Sequence, residues 1–316
     1  MFSSSTQKKH WMFSNERDLA KLRESSNTNY IQKMIARDGK PPTEDVYDTF
    51  LLPLEEKMLY RHYEFLLREF CKKFTPAVPK AVIGTSLAYF KRYYLRNSVM
   101  DLHPKQMIIT CMYLACKVEE FNISITQFVN NVKGDREKAQ DIILTNELLL
   151  IQHLQYHLTV HNPYRAVEGL LIDTKTRMSH IIQDADNLRP LIDDFLDRML
   201  LTDASLLFAP SQLAMAAIVY AVNKAHFDSN EYLNILFQDA PPDKLTHARR
   251  ICKEMHQMIK AIEMPAKEQV KQIEKKLEKC RNQDNNPDSA AYKRKMEIDD
   301  DNSRLAKQGR YEDSME

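Results

Sequence analysis

Glycine is scarce. The chain has 5 in 316 residues, at positions 39, 84, 134, 169 and 309, and none lies beside another. Loops that cradle phosphate, and the turns of dinucleotide folds, need clustered glycines so that backbone can approach the ligand. The scarcity therefore counts against a nucleotide-hydrolysing reading. Net charge is almost absent: 45 Lys and Arg against 44 Asp and Glu leave +1. No global field draws in nucleic acid or an anionic membrane. No apolar run reaches the ~20 residues of a membrane-spanning helix, and the first residues carry no signal-peptide core. Cysteine is sparse and odd in number, with 5 at positions 71, 111, 116, 252 and 280. Reduced thiols in a cytosolic or nuclear compartment are expected, not a disulfide framework.

Catalytic signatures are missing too. There is no HExxH, no paired CxxC and no glycine-flanked serine elbow. His153 and His157 stand at i, i+4, yet no third ligand lies near in sequence, so solvated helix histidines are expected and no metal. Glu119 and Glu120 adjoin, which on a helix points them about 100° apart and prevents an acid–base pair. No catalytic residue and no cofactor are predicted. No useful length alternates with period two, so no sheet is predicted either.

Helical patterns fill the chain instead. The stretch His103–Glu120, HPKQMIITCMYLACKVEE, opens on Pro104, where a first-turn proline costs no hydrogen bond. It is apolar around nearly its whole circumference, as a helix enclosed by others must be. It then ends in Lys117, Glu119 and Glu120. Amphipathic segments at Leu54–Lys73 and Lys80–Arg96 precede it; the second carries Gly84, Ser86 and Ala88, small enough for close helix approach. A short segment, Ser124–Val132, and a long one, Glu137–Tyr156, follow. His161-Asn162-Pro163 then punctuates the chain, and the plan starts again with Pro163–Arg177, Leu188–Leu207, Pro210–Ala225, 229–237 and 243–262. PSQLAMAAIVYAVNKA at 210 repeats the proline-started, small-residue-rich pattern of PKQMIITCMYLACKV at 104. The reading is a degenerate internal repeat of an α-helical module.

The ends are more polar. Ser14 is expected to cap a first helix, with Trp11 and Phe13 as packing anchors ahead of it. Residues 266–281 carry one thin stripe of Val270, Ile273 and Leu277, which suggests docking on a neighbour. Residues 282–316 are polar and acid-spotted, a composition that does not repay ordering entropy, and are expected to be disordered.

Two charges stand out against apolar surroundings. Lys117 closes the central helix, and Glu147 immediately precedes the run LLLI at 148–151. On the residues alone they read first as solvated rim charges, and second as groups that orient a partner's helix at the edge of an apolar groove.

The motifs carry the argument further. ACKVEE ending one helix and NELLLIQHLQYHL two helices later resemble the marks of the cyclin family, and Lys117 and Glu147 fall on its characteristic lysine and glutamate. The likeness extends through SSTQKKHWMFS, VHNPYRAVEGLLIDTKTR, the Leu-Thr-Asp-Ala stretch at 201–204 and APSQLA at 209–214, to about residue 281. It is strongest to the branch that serves the CDK-activating kinase and the general transcription factor TFIIH.

This resemblance implies an all-α fold: an N-terminal segment and helix (1–50), a kinase-binding cyclin box (51–160), a second box (161–263), a C-terminal helix (264–281) and the tail (282–316). It implies a nuclear, non-catalytic regulatory subunit. The partners it implies are a cyclin-dependent kinase of the cyclin-dependent kinase 7 type, the ring-finger assembly factor of that complex and the TFIIH core, with no direct nucleic acid and no membrane. Lys117 and Glu147 are implied to bond backbone around the kinase's αC helix, with Leu114, Val118, Ile151, Tyr156 and Leu158 lining the groove. One departure is visible: the MRxIL-type substrate-docking patch of cell-cycle cyclins is replaced by MLYRHYEFLL from Met58. An alternative of another class, a cyclin-fold adaptor of the TFIIB type, would need zinc-ribbon cysteines and a basic surface that this sequence does not offer.

Overall fold

The computed structural model describes residues 2–39, 49–180, 182–295 and 297–298. Every regular element among them is helical. Two helices lead: α1 (Thr6–His10) and α2 (Glu16–Asp38). The first unit follows as α3 (Pro53–Lys73), α4 (Lys80–Tyr94), α5 (Pro104–Val118), α6 (Ile125–Val129) and α7 (Arg136–His153). The second is α8 (Tyr164–Arg177), α9 (Arg189–Met199), α10 (Ala204–Leu207), α11 (Pro210–Lys224), α12 (Ser229–Leu236) and α13 (Pro242–Lys260). A last helix, α14 (Lys267–Cys280), returns to the first unit.

Local chemistry explains most boundaries. Proline opens α3, α5, α11 and α13. Ser124 and Gln127 form a reciprocal capping box on α6, and the Asp135 carboxylate accepts from the Lys138 N–H at 3.1 Å to start α7. Asn15, not the expected Ser14, caps α2: its Oδ1 accepts from the Asp18 N–H at 3.0 Å.

Each unit wraps its own core around an apolar central helix. In the first, Met107, Cys111, Met112, Ala115 and Cys116 of α5 are completely buried. In the second, Ala214, Ala217, Ile218, Ala221 and Val222 of α11 play that part. The repeat extends to the helix ends. Glu120 and His226 both take left-handed backbone, with φ of 57° and 64°. Phe121 N–H then donates to Cys116 O at 2.8 Å, and Phe227 N–H to Val222 O at 3.0 Å. The two central helices thus stop by the same Schellman-type geometry.

The seam between the units is polar and buried. Glu64 and Lys91, both out of solvent, form an ion pair; Arg61 joins Glu64 at 3.0 Å and Asp203 at 3.2 Å. Arg23 of α2 grips both Asp203 oxygens, at 2.9 and 2.8 Å. Burial alone would raise the Asp203 carboxyl, but the Arg23 and Arg61 guanidiniums hold it well below the carboxylate range. Close approach seals the other side. Asn162 of the linker sits against Gly84, where a Cβ would lie 2.1 Å from Asn162 Oδ1, and Asn162 Nδ2 donates to Thr85 Oγ1 at 3.0 Å.

The N-terminal segment closes over this seam, and the C-terminal helix covers the first unit. Trp11 is completely buried and donates from Nε1 to His157 Nδ1 at 3.2 Å; Phe13 N–H donates to Leu206 O at 2.8 Å. On α14, Val270, Ile273 and Leu277 are buried, as their spacing predicts, and Glu274 accepts from the Tyr63 hydroxyl at 2.7 Å.

Three further expectations change. The helix expected over Leu188–Leu207 is broken after Met199. There the Thr202 hydroxyl donates to Met199 O and accepts from the Ala204 N–H, while Asp203 turns into the arginine cluster. The disorder expected from Asn282 does not begin there. Asn282 N–H donates to Met100 O at 2.8 Å, its amide reaches Asp101 at 2.9 Å, and Asn285 bonds Asp101 as well. Side-chain hydrogen bonds, not apolar burial, order this stretch, so composition concealed it. The acidic run Asp299–Asp301 and the rest of the tail lie outside the described residues. Finally, α7 ends at His153, not Tyr156, because Gln155 and Tyr156 both adopt positive φ (55° and 60°). His157 is thereby carried off the helix to Trp11, while His153 packs on Tyr93. The two histidines share no ligand geometry, and no metal-binding cluster occurs among the described residues.

Candidate functional site

Helix α7 has two faces. Ala139, Ile143, Asn146 and Leu150 point into the first core. Leu144, Glu147, Leu148 and Ile151, at i, i+3, i+4 and i+7, form a stripe along its outer side, with Ile151 still touching the core. Leu144 is 51% exposed and Leu148 61% exposed, which is unusual for leucine in a helix whose other side is fully packed. An apolar stripe in water beside a satisfied core marks a surface meant for covering.

Lys117 meets this stripe from the end of α5. Its ammonium donates to both Glu147 oxygens, at 2.7 and 2.9 Å, and lies 4.8 Å from the centre of the Tyr113 ring. The lysine side chain remains 47% exposed and that of Glu147 17%. The two charges that the sequence singled out, thirty residues apart, are thus partners on the surface. The neighbouring Glu119 is not part of the pair; it accepts from the Thr85 hydroxyl at 2.5 Å and so belongs to the linker contact.

The remaining sequence candidates divide. Val118, Ile151 and Leu158 are half-buried and rest on the first core, at the edge of the stripe. Tyr156 is 67% exposed on its left-handed turn, held by its N–H to Ile151 O at 3.0 Å. Leu158 is fixed through its carbonyl, which accepts from the Tyr89 hydroxyl. Leu114 differs: it is 3% exposed and belongs to the core. It backs the surface without being part of it. Leu144 and Leu148 were not among the sequence candidates. The run LLLI at 148–151 cannot face one core with all four residues, but composition does not tell which of them turns outward, and Leu144 lies outside the run.

The surface is built by α7 and the end of α5. It offers an apolar ridge, one ion pair with a spare ammonium donor, and an exposed tyrosine. That suits a partner protein's helix.

Comparison with known proteins identifies the family. The model of the cyclin N-terminal domain matches residues 30–159, and that of the cyclin C-terminal domain matches residues 162–282. Cyclin-H of Xenopus laevis is 41% identical over 284 residues, covering 89% of this chain and 87% of the relative. Cyclin-H1-1 of Arabidopsis thaliana is 31% identical over 308 residues, 88% of each chain. A chain in the structure of the CAK complex from Chaetomium thermophilum, bound to ATP-gamma-S, superposes with a TM-score of 0.79 at 25% identity, over 96% of this chain and 94% of that one. A chain of the yeast TFIIK complex shares the fold, with a TM-score of 0.61 at 23% identity, covering 81% of this chain and 99% of that one. With both helical units and most of its length accounted for in this way, the chain belongs to the cyclin family, in its cyclin H branch.

Proposed function

We propose that this chain binds and activates a cyclin-dependent kinase through the exposed face of α7 and the end of α5. The observation that carries the reading is the stripe of Leu144, Leu148 and Ile151 flanking the Lys117–Glu147 pair. A kinase αC helix laid on that stripe buries it and is pressed toward the catalytic cleft, which helps seat the kinase's Lys–Glu ion pair. The bidentate Lys117–Glu147 contact fixes both heads before binding. The ammonium still has one donor for a backbone carbonyl, and Glu147 has lone pairs for backbone N–H groups. Val118, Tyr156 and Leu158 complete the rim, and Leu114 supports it from below. The chain itself is a regulatory subunit that contributes no catalytic group.

The finer reading is a kinase of the cyclin-dependent kinase 7 type, acting with a ring-finger assembly factor and the TFIIH core in the nucleus. It is supported by the identity with Cyclin-H over most of both chains and by the fold shared with a chain of the CAK complex. Co-purification identifies the kinase. Lys117→Ala and Glu147→Ala each should cost ~2–5 kcal/mol of kinase binding, the penalty for leaving a desolvated charge unpaired. Their own melting should move little, since exposed pairs contribute ~0–1 kcal/mol. Normal kinase activation by both variants would overturn the assignment of this pair.

A further inference from the structure

The second unit carries a groove where the first carries its kinase-facing surface. It is lined by α11 and α13, with residues of α9 and α12 beside them, and has a volume of about 890 Å³. Tyr220 and Asn223 line it, and in the repeat these positions answer to Leu114 and Lys117. The floor is apolar: Phe195, Val219, Leu233 and Ile259. The rim is cationic: Arg198, Lys224, Arg249, Lys253 and Lys260, with His226 and His256 between them. No lining residue carries a carboxylate.

These cations are largely unneutralised. Among the described residues only Arg198 has an ion-pair partner, Asp194; Arg249 donates to the neutral Asn234 amide at 3.0 Å. Arg198 also donates to the Tyr220 hydroxyl at 2.7 Å, and Arg198 and Lys224 lie 5.2 and 5.8 Å from the Tyr220 ring centre. Burial lowers the His256 pKa, and Lys260, Arg198 and Lys224 lower it further, which reports a positive field in the groove. A chain of net charge +1 has concentrated cations at one place.

We propose that this groove docks an acidic segment of a partner protein, one that carries aspartates or glutamates for the rim and aliphatic side chains for the floor. Charge complementarity selects the acidic sequence, and desolvated rim pairs hold its register. Nucleic acid fits less well, because Phe195 is buried and the Tyr220 ring is already covered by Arg198 and Lys224, which leaves no row of free aromatic faces for successive bases. The site is separate from α7, so the segment can bind while a kinase occupies the first unit.

The test uses the full chain and fluorescence anisotropy with three labelled probes: a glutamate–leucine helical peptide, a lysine–leucine counterpart and a short duplex DNA. The acidic peptide should bind and weaken as salt is raised. Lys224→Glu with Lys253→Glu should weaken it about tenfold or more, and should let the basic peptide bind instead. Reversing Lys21 and Lys33, exposed on α2, should change nothing. All four sites are exposed, so melting should be unaffected. Absence of acidic-peptide binding, or binding indifferent to Lys224 and Lys253, overturns the proposal. So does duplex DNA bound as tightly with the same dependence on these two lysines.

Discussion

Two lysine–glutamate pairs in the same unit show how burial decides what a charge is for. Lys91 and Glu64 are 1% and 0% exposed at the seam between the units. Lys117 and Glu147 stand at the rim of the partner-facing surface, 47% and 17% exposed. The first pair cannot be reached by any partner, and removing either member strands a charge out of water. The second is barely needed by the fold, and its value appears only when something covers it. The same chemistry is structural in one place and functional in the other.

Breaking the buried pair gives the largest expected effect. Lys91→Ala should destabilise the chain by ~3–5 kcal/mol, because Glu64 is left buried, with only Arg61 beside it. The double variant Lys91→Met, Glu64→Leu should recover much of the loss. Chemical denaturation of the two variants measures this; equal destabilisation would mean the pair is not the source of the cost.

The surface counterpart is sharpened by Leu148→Ala. It should weaken kinase binding by ~2 kcal/mol or more, as truncation of a central apolar anchor does. Its stability should stay within about 0.5 kcal/mol. A titration of kinase against the variant, alongside its melt, separates the two.

A third carboxylate refines the contrast. Glu56 is buried like Glu64 but has the Ser98 hydroxyl as partner, not a cation. Burial therefore pushes its pKa up to about 7, against hydrogen bonds that lower it. The folded pKa lies above the unfolded one, so its contribution is fully present below the unfolded value and is lost as pH rises through about 7. Glu56→Gln should thus be more stable than the parent at pH 8 by on the order of 1–3 kcal/mol, with no gain near pH 4. Parallel pH–stability curves for the two proteins would exclude a buried, protonated Glu56.

Gly84→Ala tests the linker contact. Its methyl would meet Asn162 at 2.1 Å, and overpacking of that kind costs ~1–3 kcal/mol. Ala at Gly169, where nothing lies within 4 Å, should be tolerated.

The sequence exposed the scaffold better than the surface. Prolines 104 and 210 mark true helix starts, and the two apolar central helices are the centres of two cores. Lys117 and Glu147 were legible because charge inside an apolar run is conspicuous. Leu144 and Leu148 were not, because a leucine that awaits a partner has the same composition as one that faces the core. The break after Met199 was hidden for a related reason: Leu200 and Leu201 continue the apolar pattern while Thr202 and Asp203 redirect the backbone through side-chain bonds. The stretch after Asn282 escaped because hydrogen-bonded order leaves no periodic trace.

The N-terminal residues have a last consequence, for cooperativity. Two cores of this size, joined by a short linker, are in principle two independent melting units. Gln7 accepts from the linker's His161 N–H, Phe13 binds Leu206 of the second unit, and Arg23 binds Asp203 while touching Tyr60 of the first. Neither unit can open without releasing the same short strap. The strap, with the Arg61–Asp203 pair of the seam, makes the free energy of the two cores a shared quantity, so the chain should unfold in one transition, and a chain that starts after residue 24 should unfold less cooperatively, with a broader transition.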